Sequence, residues 1–340
     1  MGDVALAAKA AQPDHQGDAG FMGKLLCVVS GGDAPGIHAA LYHVAALASR
    51  DQVAVLGADG GFPAVLGARF VPLEAQRLLP LLAMSGTILA SSRHPALALP
   101  ESHDILREVL ARHEIDRIIL FGGDGTLRYI PPLLERWGVA CIGIPTTIDN
   151  DVPGTELTLG FDSACNFAYH AIDGIRATGG ALPGRIFTLE TLGGNTGFLA
   201  LEVARGAAAD AVLIPEYDYD PDALNQRLEA AIARSGQALL VYSEGVSDKD
   251  RLMERIAEGT GIRVRSTRLG HAQRGGTPSH RDRVLAADMA RLAYEAARSG
   301  VMAGVAVARG GQVVLHEGVL PYTGPKMPDY ALYQQLNGLA

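Results

Sequence analysis

Short apolar runs alternate with segments of helical periodicity along most of the chain, and glycine marks many of the junctions. The apolar run Lys24–Ser30 leads into the glycine turn Gly31–Gly36 and then into an Ala-rich helical segment that ends near Ser49. The run Arg117–Phe121 leads in the same way into Gly122–Thr126 and another helix. This pattern predicts repeated units of strand, turn and helix.

Other predicted elements continue this alternation. Gln52–Gly57 and Val139–Ile144 are predicted strands, so the first 150 residues predict a doubly wound parallel sheet, whose ligands bind beyond the carboxyl ends of the strands. In a second α/β series, the predicted helices are Phe161–Thr178, Gly197–Ala207 and Pro221–Ser235, and the predicted strands are Arg185–Glu190, Ala211–Ile214, Ala238–Tyr242 and Arg263–Arg268. We expect the helix Arg281–Ser299 and the strand Gly304–Arg309 to return to the first sheet.

Composition narrows the class of protein and of partner. A chain of 340 residues with 48% hydrophobic and 19% charged residues is typical of a globular protein with two domains. The formal net charge of −8 argues against a nucleic-acid partner. Of 29 basic residues only four are lysines, and arginine binds phosphate as a planar fork. A genome rich in arginine codons would give the same count.

Cysteine usage and hydropathy bear on location. The three cysteines, Cys27, Cys141 and Cys165, are odd in number and form no C-x-x-C pair, which favours a reducing cytoplasm over a disulfide framework or a zinc site. No apolar run reaches the ~18 residues of a membrane span, so we expect no membrane partner. Residues 1–23 show little pattern, and we expect an N-terminal extension outside the fold.

Two glycine turns are candidate phosphate sites. Gly31–Gly36 offers bare backbone N–H groups and a helix N-terminus, both of which attract phosphate, although such turns also close strand–helix units for steric reasons alone. Gly122–Thr126 repeats the arrangement with Asp124 inside it, and a carboxylate beside a phosphate turn suits Mg2+ on a polyphosphate. The alternative role for Asp124 is a helix N-cap.

Two more segments carry candidate chemistry. Thr147–Asp151 (Thr-Ile-Asp-Asn-Asp) follows a predicted strand, and one of its carboxylates could take the proton of an attacking hydroxyl while the other assists a metal; the alternative is a simple turn. Leu269–Pro278 contains His271 and Arg274, with Arg265 just upstream. This cluster of donors suits a phosphate monoester dianion, whereas a lone histidine is more often structural.

Together these four segments resemble the phosphofructokinase family, and the resemblance extends from Lys24 to about Arg309. Their motifs are Gly-Gly-Asp-Ala-Pro-Gly, Gly-Gly-Asp-Gly-Thr, Thr-Ile-Asp-Asn-Asp and Leu-Gly-His-x-Gln-Arg-Gly-Gly-x-Pro. The resemblance implies an α/β fold of two doubly wound Rossmann-like domains with the active site in the cleft between them. It implies a phosphoryl-donor domain of residues 24–159 plus about 273–323 and a sugar-phosphate domain of residues 160–272 plus about 324–340.

The resemblance also implies roles for individual residues. The donor phosphates would be bound by Gly32, Gly123, Asp124, Gly125 and Thr126, with Mg2+ at Asp124 and with Arg93 contacting the phosphates in transfer. Asp149 would be the base, with Thr147 and Asp151 beside it. The 6-phosphate of the acceptor would be clamped by Arg185, Arg265, His271 and Arg274, and its sugar would contact Leu192, Gly193, Gly194 and Glu244.

Arg185 and Arg265 correspond to residues that reach over from a neighbouring subunit in this family. The resemblance therefore implies a homodimer or homotetramer with shared active sites.

Four positions depart from the family or discriminate within it. Gly194 replaces the arginine of the usual Met-Gly-Arg, and His38 replaces a usual asparagine. Gly125 favours ATP, because pyrophosphate-dependent members typically carry Asp there. Thr146 matches neither the Gly of many ATP-dependent members nor the Lys of pyrophosphate-dependent ones.

The leading hypothesis is a Mg2+-dependent kinase that transfers a phosphoryl group from ATP to a hydroxyl of a sugar phosphate. The default reaction converts fructose 6-phosphate to fructose 1,6-bisphosphate, as in glycolysis. Three alternatives stay open: pyrophosphate as the donor, a different phosphorylated sugar or nucleoside as the acceptor because of Gly194, and a homologue that binds sugar phosphate without catalysis.

Overall fold

The computed structural model describes residues 23–92, 100–321 and 324–338, so Arg93 and nearly all of the predicted N-terminal extension lie outside the described residues. The strands, in chain order, are β1 (Lys24–Ser30), β2 (Val55–Ala58), β3 (Phe70–Pro72), β4 (Ile115–Gly122), β5 (Ala140–Pro145), β6 (Arg185–Thr191), β7 (Ala211–Leu213), β8 (Gln237–Ser243), β9 (Arg263–Arg268), β10 (Ala303–Arg309) and β11 (Gln312–Glu317).

The helices, in chain order, are α1 (Ile37–Arg50), α2 (Gly61–Leu66), α3 (Ala75–Leu78), α4 (Pro100–Arg112), α5 (Asp124–Glu135), α6 (Phe161–Ala181), α7 (Phe198–Gly206), α8 (Pro221–Ser235), α9 (Lys249–Thr260), α10 (His280–Arg298) and α11 (Tyr330–Leu336). Short 3-10 helices cover Leu79–Leu81 and Gly270–Gly275. All the elements that the pattern predicts are present, with ends that differ by up to three residues.

In the part of the chain that the structure describes, the first sheet has seven strands in the order β11-β10-β5-β4-β1-β2-β3. Its five central strands are parallel, but the edge strands β3 and β11 are antiparallel to their neighbours. The prediction of a parallel sheet over the first 150 residues is therefore wrong at the edge strand β3. The sequence pattern predicts no strand at β11, which follows β10 after a two-residue turn, and a turn of that length can join only antiparallel strands.

Helices cover both faces of the first sheet. Along β1, Leu25, Cys27 and Val29 pack into the core beneath α1 and α10, whereas Leu26 and Val28 pack into the core on the opposite face. A central strand that is apolar on both faces is typical of a doubly wound sheet. The predicted fold class is confirmed here.

The second sheet has the strand order β7-β8-β6-β9, and its described pairs are all parallel. One face packs against α6, α7 and α11, and the other packs against α8 and α9. β9 is an edge strand whose residues are mostly exposed. The predicted second α/β series is confirmed.

The predicted return of α10 and β10 to the first sheet is also confirmed, because α10 packs against α1 and β10 pairs with β5. At the start of α10, the buried Asp282 carboxylate accepts hydrogen bonds from the backbone N–H groups of Gly160 (2.9 Å) and Ser163 (2.8 Å) at the start of α6. Asp282 therefore joins α10 to the first helix of the second series. The residue limits of the two domains stay a prediction.

Candidate active site

The two glycine turns lie side by side at the carboxyl edge of the first sheet. β1 and β4 are parallel neighbours, and the last residues of the two strands, Ser30 and Gly122, are in register. Each turn leads directly into a helix, α1 or α5, and among the described residues no side chain caps either N-terminus. Their free backbone N–H groups and the helix dipoles favour an anion at this edge, so the two turns together form a candidate polyphosphate site.

Asp124 is the first residue of α5, and Gly123 holds the N-cap position. The N-cap alternative for Asp124 is therefore wrong. Its half-exposed carboxylate forms an ion pair with Arg128 one turn further along α5. Within the described ranges no three acidic, histidine or cysteine side chains cluster as a metal site. A single carboxylate still fits Mg2+, which binds one or two carboxylates and takes its other ligands from substrate phosphates and water.

The loop after β5 carries the predicted base. Asn150 adopts a left-handed backbone conformation (φ 54°) and closes the loop, because its side-chain amide donates to the carbonyl of Glu156 (3.1 Å). The Asp149 carboxylate does not close this turn: its Oδ1 atom is buried without a hydrogen-bond partner in the described structure, and only the backbone N–H of Asp149 bonds within the loop, to Thr147 Oγ1. The simple-turn alternative explains Asn150 but leaves Asp149 unexplained.

The electrostatic surroundings of Asp149 suit a general base. Burial raises the pKa of its carboxyl, the Arg274 guanidinium opposes the shift, and the neighbouring Asp151 carboxylate adds to it. Burial also raises the pKa of Asp151, while Lys326 lowers it. A raised pKa makes the Asp149 carboxylate a stronger proton acceptor.

The carboxyl edge of the second sheet provides the candidate acceptor site. β6 and β8 are adjacent, and the residues that follow them are joined: Glu244 Oε1 accepts the backbone N–H groups of Gly193 (3.2 Å) and Gly194 (2.8 Å). The N–H of Leu192 donates to Gln273 Oε1 (2.8 Å). The acceptor loop 192–194 is therefore fixed on both sides.

Arg274 lies between the two edges. Its Nη1 atom is 3.7 Å from the point where a Cβ on Gly32 would stand, so its guanidinium reaches the first glycine turn. Arg274 also influences the Asp149 carboxyl, which places one cation near both the donor turn and the base. His271 lies on the same 3-10 helix and is exposed.

Two predicted clamp residues lie elsewhere. Arg185 begins β6, and Arg265 lies in the exposed edge strand β9 opposite Phe187. At ~3.3 Å per residue, Arg185 is about 20 Å along the strand from the acceptor loop at the other end of β6. Within one chain the structure therefore brings together the predicted residues Gly32, Gly123, Asp124, Gly125, Thr126, Thr147, Asp149, Asp151, Leu192, Gly193, Gly194, Glu244, His271 and Arg274, but not Arg185 and Arg265. Arg93 is outside the described residues.

Sequence reasoning missed two residues of this region. Gln273 is fully buried and joins Leu192 to α6 through a hydrogen bond from its Nε2 to the carbonyl of Ala164 (3.2 Å). Lys326 donates to the carbonyls of Asn150 (2.8 Å) and Glu156 (3.2 Å). Gln273 belongs to the motif Leu-Gly-His-x-Gln-Arg-Gly-Gly-x-Pro, so its place in that motif could have indicated a role at the site. Lys326 lies far from all four motifs in the sequence, and only the fact that the chain has four lysines distinguished it.

The unusual His38 also has a structural explanation. It is buried at the start of α1, its Nδ1 is 3.1 Å from the carbonyl of Met84, and its Nε2 accepts the N–H of Ile88 (2.9 Å). His38 therefore fixes the segment that precedes Ser91, whose hydroxyl accepts the N–H of Gly32 (3.0 Å).

In the described residues, no helix is long and apolar enough to cross a membrane.

Two α/β units, with two glycine turns at the carboxyl edge of the first sheet and a buried carboxylate in the loop after β5, form the arrangement expected of an enzyme that transfers phosphoryl groups. The family model described as Phosphofructokinase matches residues 24–297, and the chain belongs to that family. This membership confirms the predicted family and the predicted class of enzyme.

Relatives of the chain agree with this membership. The chain is 38% identical over 280 residues to an ATP-dependent 6-phosphofructokinase of Coxiella burnetii, covering 82% of this chain and 86% of the relative. It is 39% identical over 300 residues to an ATP-dependent 6-phosphofructokinase of Lactobacillus delbrueckii, covering 87% and 92%.

Solved structures support the fold. Phosphofructokinase from Saccharomyces cerevisiae superposes with a TM-score of 0.79 at 24% identity, over 87% of this chain and 44% of that longer chain. A pyrophosphate-dependent phosphofructokinase from Marinobacter aquaeolei gives a TM-score of 0.79 at 21% identity, over 92% and 91% of the two chains. At these identities the likeness establishes the fold alone.

Proposed function

We propose that this protein transfers the γ-phosphoryl group of ATP to a hydroxyl of fructose 6-phosphate and forms fructose 1,6-bisphosphate. The observation that carries the proposal is the buried, unpartnered Oδ1 of Asp149, whose carboxylate is influenced by Arg274, near the first glycine turn, and by Glu244, which holds the loop 192–194. The names of the two relatives, both ATP-dependent 6-phosphofructokinases, support the donor and the acceptor.

In the proposed reaction, Asp149 takes the proton of the attacking hydroxyl. The hydroxyl oxygen of the acceptor bonds to the γ-phosphorus of ATP, and the bond from that phosphorus to the ADP oxygen breaks. Thr147 orients the base, since its Oγ1 accepts the N–H of Asp149 (3.1 Å). The Asp151 carboxylate keeps the neighbourhood of Asp149 negative and adds to the rise in the pKa of the base.

The donor is bound by the turn residues Gly32, Gly123, Gly125 and Thr126, together with Arg93. Mg2+ would be held by Asp124 and the donor phosphates, and it would neutralise charge on those phosphates. Gly125 is open, because nothing lies within 4 Å of a Cβ built there. This open space supports ATP over pyrophosphate, since the nucleotide needs room beyond the phosphates.

The acceptor lies against Leu192, Gly193, Gly194 and Glu244, with its 6-phosphate on His271 and Arg274. Arg185 and Arg265 complete the clamp from a neighbouring subunit, so we also propose a homo-oligomer with shared sites. The exposure of edge strand β9, which carries Arg265, supports this arrangement. We place the protein in the cytoplasm, as its three cysteines are free and buried.

The base assignment is tested with Asp149→Asn, which preserves the shape of the side chain. We expect kcat to fall about 10²- to 10⁴-fold while the KM for fructose 6-phosphate changes little. Asp116→Asn is the matched control, because Asp116 also has a buried, unpartnered Oδ1 but lies at the opposite end of β4. An Asp149→Asn enzyme as active as the control would contradict the proposal.

A second candidate, another phosphorylated acceptor, is favoured by one observation. Nothing lies within 4 Å of a Cβ built on the exposed Gly194, so the acceptor site has room that a larger side chain would fill. Comparing kcat/KM for fructose 6-phosphate with the values for other phosphorylated sugars and nucleosides decides between them. A wide lead for fructose 6-phosphate removes this candidate.

A further inference from the structure

Lys326 belongs to the segment between β11 and α11, beyond the residues that the family model matches. Its Nζ donates to the carbonyl of Asn150 (2.8 Å) and to that of Glu156 (3.2 Å). These carbonyls belong to the two ends of the short loop that contains Asp151 and directly follows Asp149. One ammonium group therefore ties the loop at both of its ends.

The loop needs such support. Asn150 is left-handed at φ 54°, a conformation that asparagine adopts more readily than most residues but that local hydrogen bonds must still hold. The Asn150 side chain closes the loop from within, as its Oδ1 accepts the N–H of Thr158 (3.1 Å). Lys326, which belongs to the C-terminal segment, contacts the backbone carbonyl of the same residue, Asn150.

Lys326 also contacts the second sheet. Its Nζ stands 4.9 Å from the ring centroid of Phe198, the first residue of α7, which follows the acceptor loop 192–194. Nearby, the Tyr217 hydroxyl donates to the carbonyl of Pro328 (2.6 Å) and fixes the segment that carries the lysine. Lys326 thus bridges the loop of the base and the element next to the acceptor.

The charged groups that act on Lys326 are the carboxylates of Asp151 and Glu156, both on the loop, whereas Phe198 is neutral. Burial lowers the pKa of Lys326 to about 8, and the two carboxylates oppose this shift. A half-buried ammonium is costly unless its donors and its charge are matched. Here two carbonyl oxygens accept hydrogen bonds from the ammonium, and two carboxylates and the face of the Phe198 ring balance its charge.

We propose that Lys326 is a positioning residue for phosphoryl transfer: it fixes the loop from Asn150 to Glu156 against α7 and so sets the place of Asp149 relative to the acceptor. This inference rests on the proposed function, since the position of the base matters only if Asp149 acts as one. A displacement of about 1 Å at a reacting group can cost about 100-fold in rate.

The test compares Lys326→Met and Lys326→Arg with the wild type. Lys24→Met is the matched control, because Lys24 begins β1 at the opposite end of the first sheet and pairs with Glu114. For Lys326→Met we expect kcat to fall about 10- to 100-fold, while the KM values for ATP and fructose 6-phosphate stay within about threefold. Lys326→Arg should recover most of kcat, and Lys24→Met should match the wild type.

The pH dependence adds a readout that a purely structural role would not move. In the wild type, kcat should decline as the pH rises through about 8 and Lys326 loses its proton. In Lys326→Arg this decline should move to higher pH, because arginine stays protonated. An unchanged alkaline limb in Lys326→Arg, or wild-type kcat in Lys326→Met, would overturn the proposal.

Amide hydrogen exchange separates this inference from the proposed function. In Lys326→Met the amides from Asn150 to Thr158 should exchange at least about tenfold faster than in Lys24→Met, while those of β8 stay unchanged. If the wild type phosphorylates no fructose 6-phosphate, the proposed function is wrong, and the exchange of this loop still decides whether Lys326 holds it. Equal exchange in the two methionine variants overturns the role of Lys326.

Discussion

The backbone N–H of Gly194 donates a 2.8 Å hydrogen bond to Oε1 of Glu244, the same atom that accepts the N–H of Gly193 at 3.2 Å. One carboxylate oxygen at the end of β8 therefore fixes the loop at the end of β6. Each bond has a charged acceptor, which makes it stronger than a bond between neutral groups.

Replacing Glu244 separates its charge from its hydrogen bonds. Glu244→Ala removes both bonds, so we expect the KM for fructose 6-phosphate to rise about 10- to 100-fold, as bonds to a charged group are worth about 1.5–3 kcal/mol. Glu244→Gln keeps an accepting oxygen and should raise KM less. Initial rates over a range of acceptor concentrations check this, and equal KM values for the two variants would contradict it.

The two glycines of this loop should respond differently to alanine. A Cβ on Gly193 would stand 2.5 Å from the carbonyl oxygen of Thr196, and φ there is 147°, so Gly193→Ala should lower both Tm and kcat/KM substantially. A Cβ on Gly194 meets nothing within 4 Å, and only its φ of 59° is unfavourable, by about 1–2 kcal/mol. Thermal unfolding of both variants checks whether Gly193→Ala lowers Tm more than Gly194→Ala does. A larger loss of Tm in Gly194→Ala would contradict the open surroundings of Gly194.

The Asp149 carboxyl should contribute less to the free energy of unfolding at neutral pH than at acid pH. Because burial raises the pKa of the folded-state carboxyl above its ordinary value of 3.8, its favourable contribution is complete below 3.8 and is lost as the pH rises through the folded-state value. Asp149→Asn should therefore raise Tm by about 2–4 °C at pH 7 and by less as the pH falls toward 4. A variant that is less stable than wild type at pH 7 would contradict this.

The same shift predicts the acid limb of catalysis. Only the ionised Asp149 accepts a proton, so kcat should decline as the pH falls through its raised pKa. A kcat that stays constant down to the ordinary value of 3.8 would exclude Asp149 as the base. The stability profile and the profile of kcat/KM, which both report the free enzyme, should share the same pH window.

The absence of a side chain at Gly125 should leave the space that the nucleotide occupies. The position is open and lies in the first turn of α5, where an acidic side chain is compatible with the helix dipole. Gly125→Asp should therefore fold normally but raise the KM for ATP about tenfold or more by charge and bulk beside the phosphates. Gly125→Ala is the control for bulk alone, and an unchanged KM in the aspartate variant would remove this residue from the donor site.

The sequence predicted the central strands and the carboxyl edge well, because both depend on local signals. Apolar runs ending in glycine turns located β1 and β4, and their parallel pairing places Gly32 and Asp124 at one edge. The edge strands β3 and β11 contain runs of only two and three apolar residues, and their residues are half-exposed or exposed, so periodicity could not find them.

The contacts between segments far apart in the chain could not be predicted in the same way. Lys326 lies 176 residues from Asn150 along the chain, and Gln273 lies 81 residues from Leu192. Neither side chain differs by type from an ordinary surface or loop residue, and only the packing of the C-terminal segment and of the 3-10 helix brings each to its partner. The N-cap alternative for Asp124 failed for a smaller reason, since helix ends shift by one residue without a change of pattern.

Initial rates with Mg2+ and fructose 6-phosphate, with ATP and pyrophosphate compared as donors in parallel, would measure the proposed ATP-dependent phosphorylation itself. We expect efficient formation of fructose 1,6-bisphosphate with ATP and a kcat/KM at least about 100-fold lower with pyrophosphate, a difference of about 2.7 kcal/mol. Equal or faster transfer from pyrophosphate would contradict the donor, and no transfer from either would contradict the reaction.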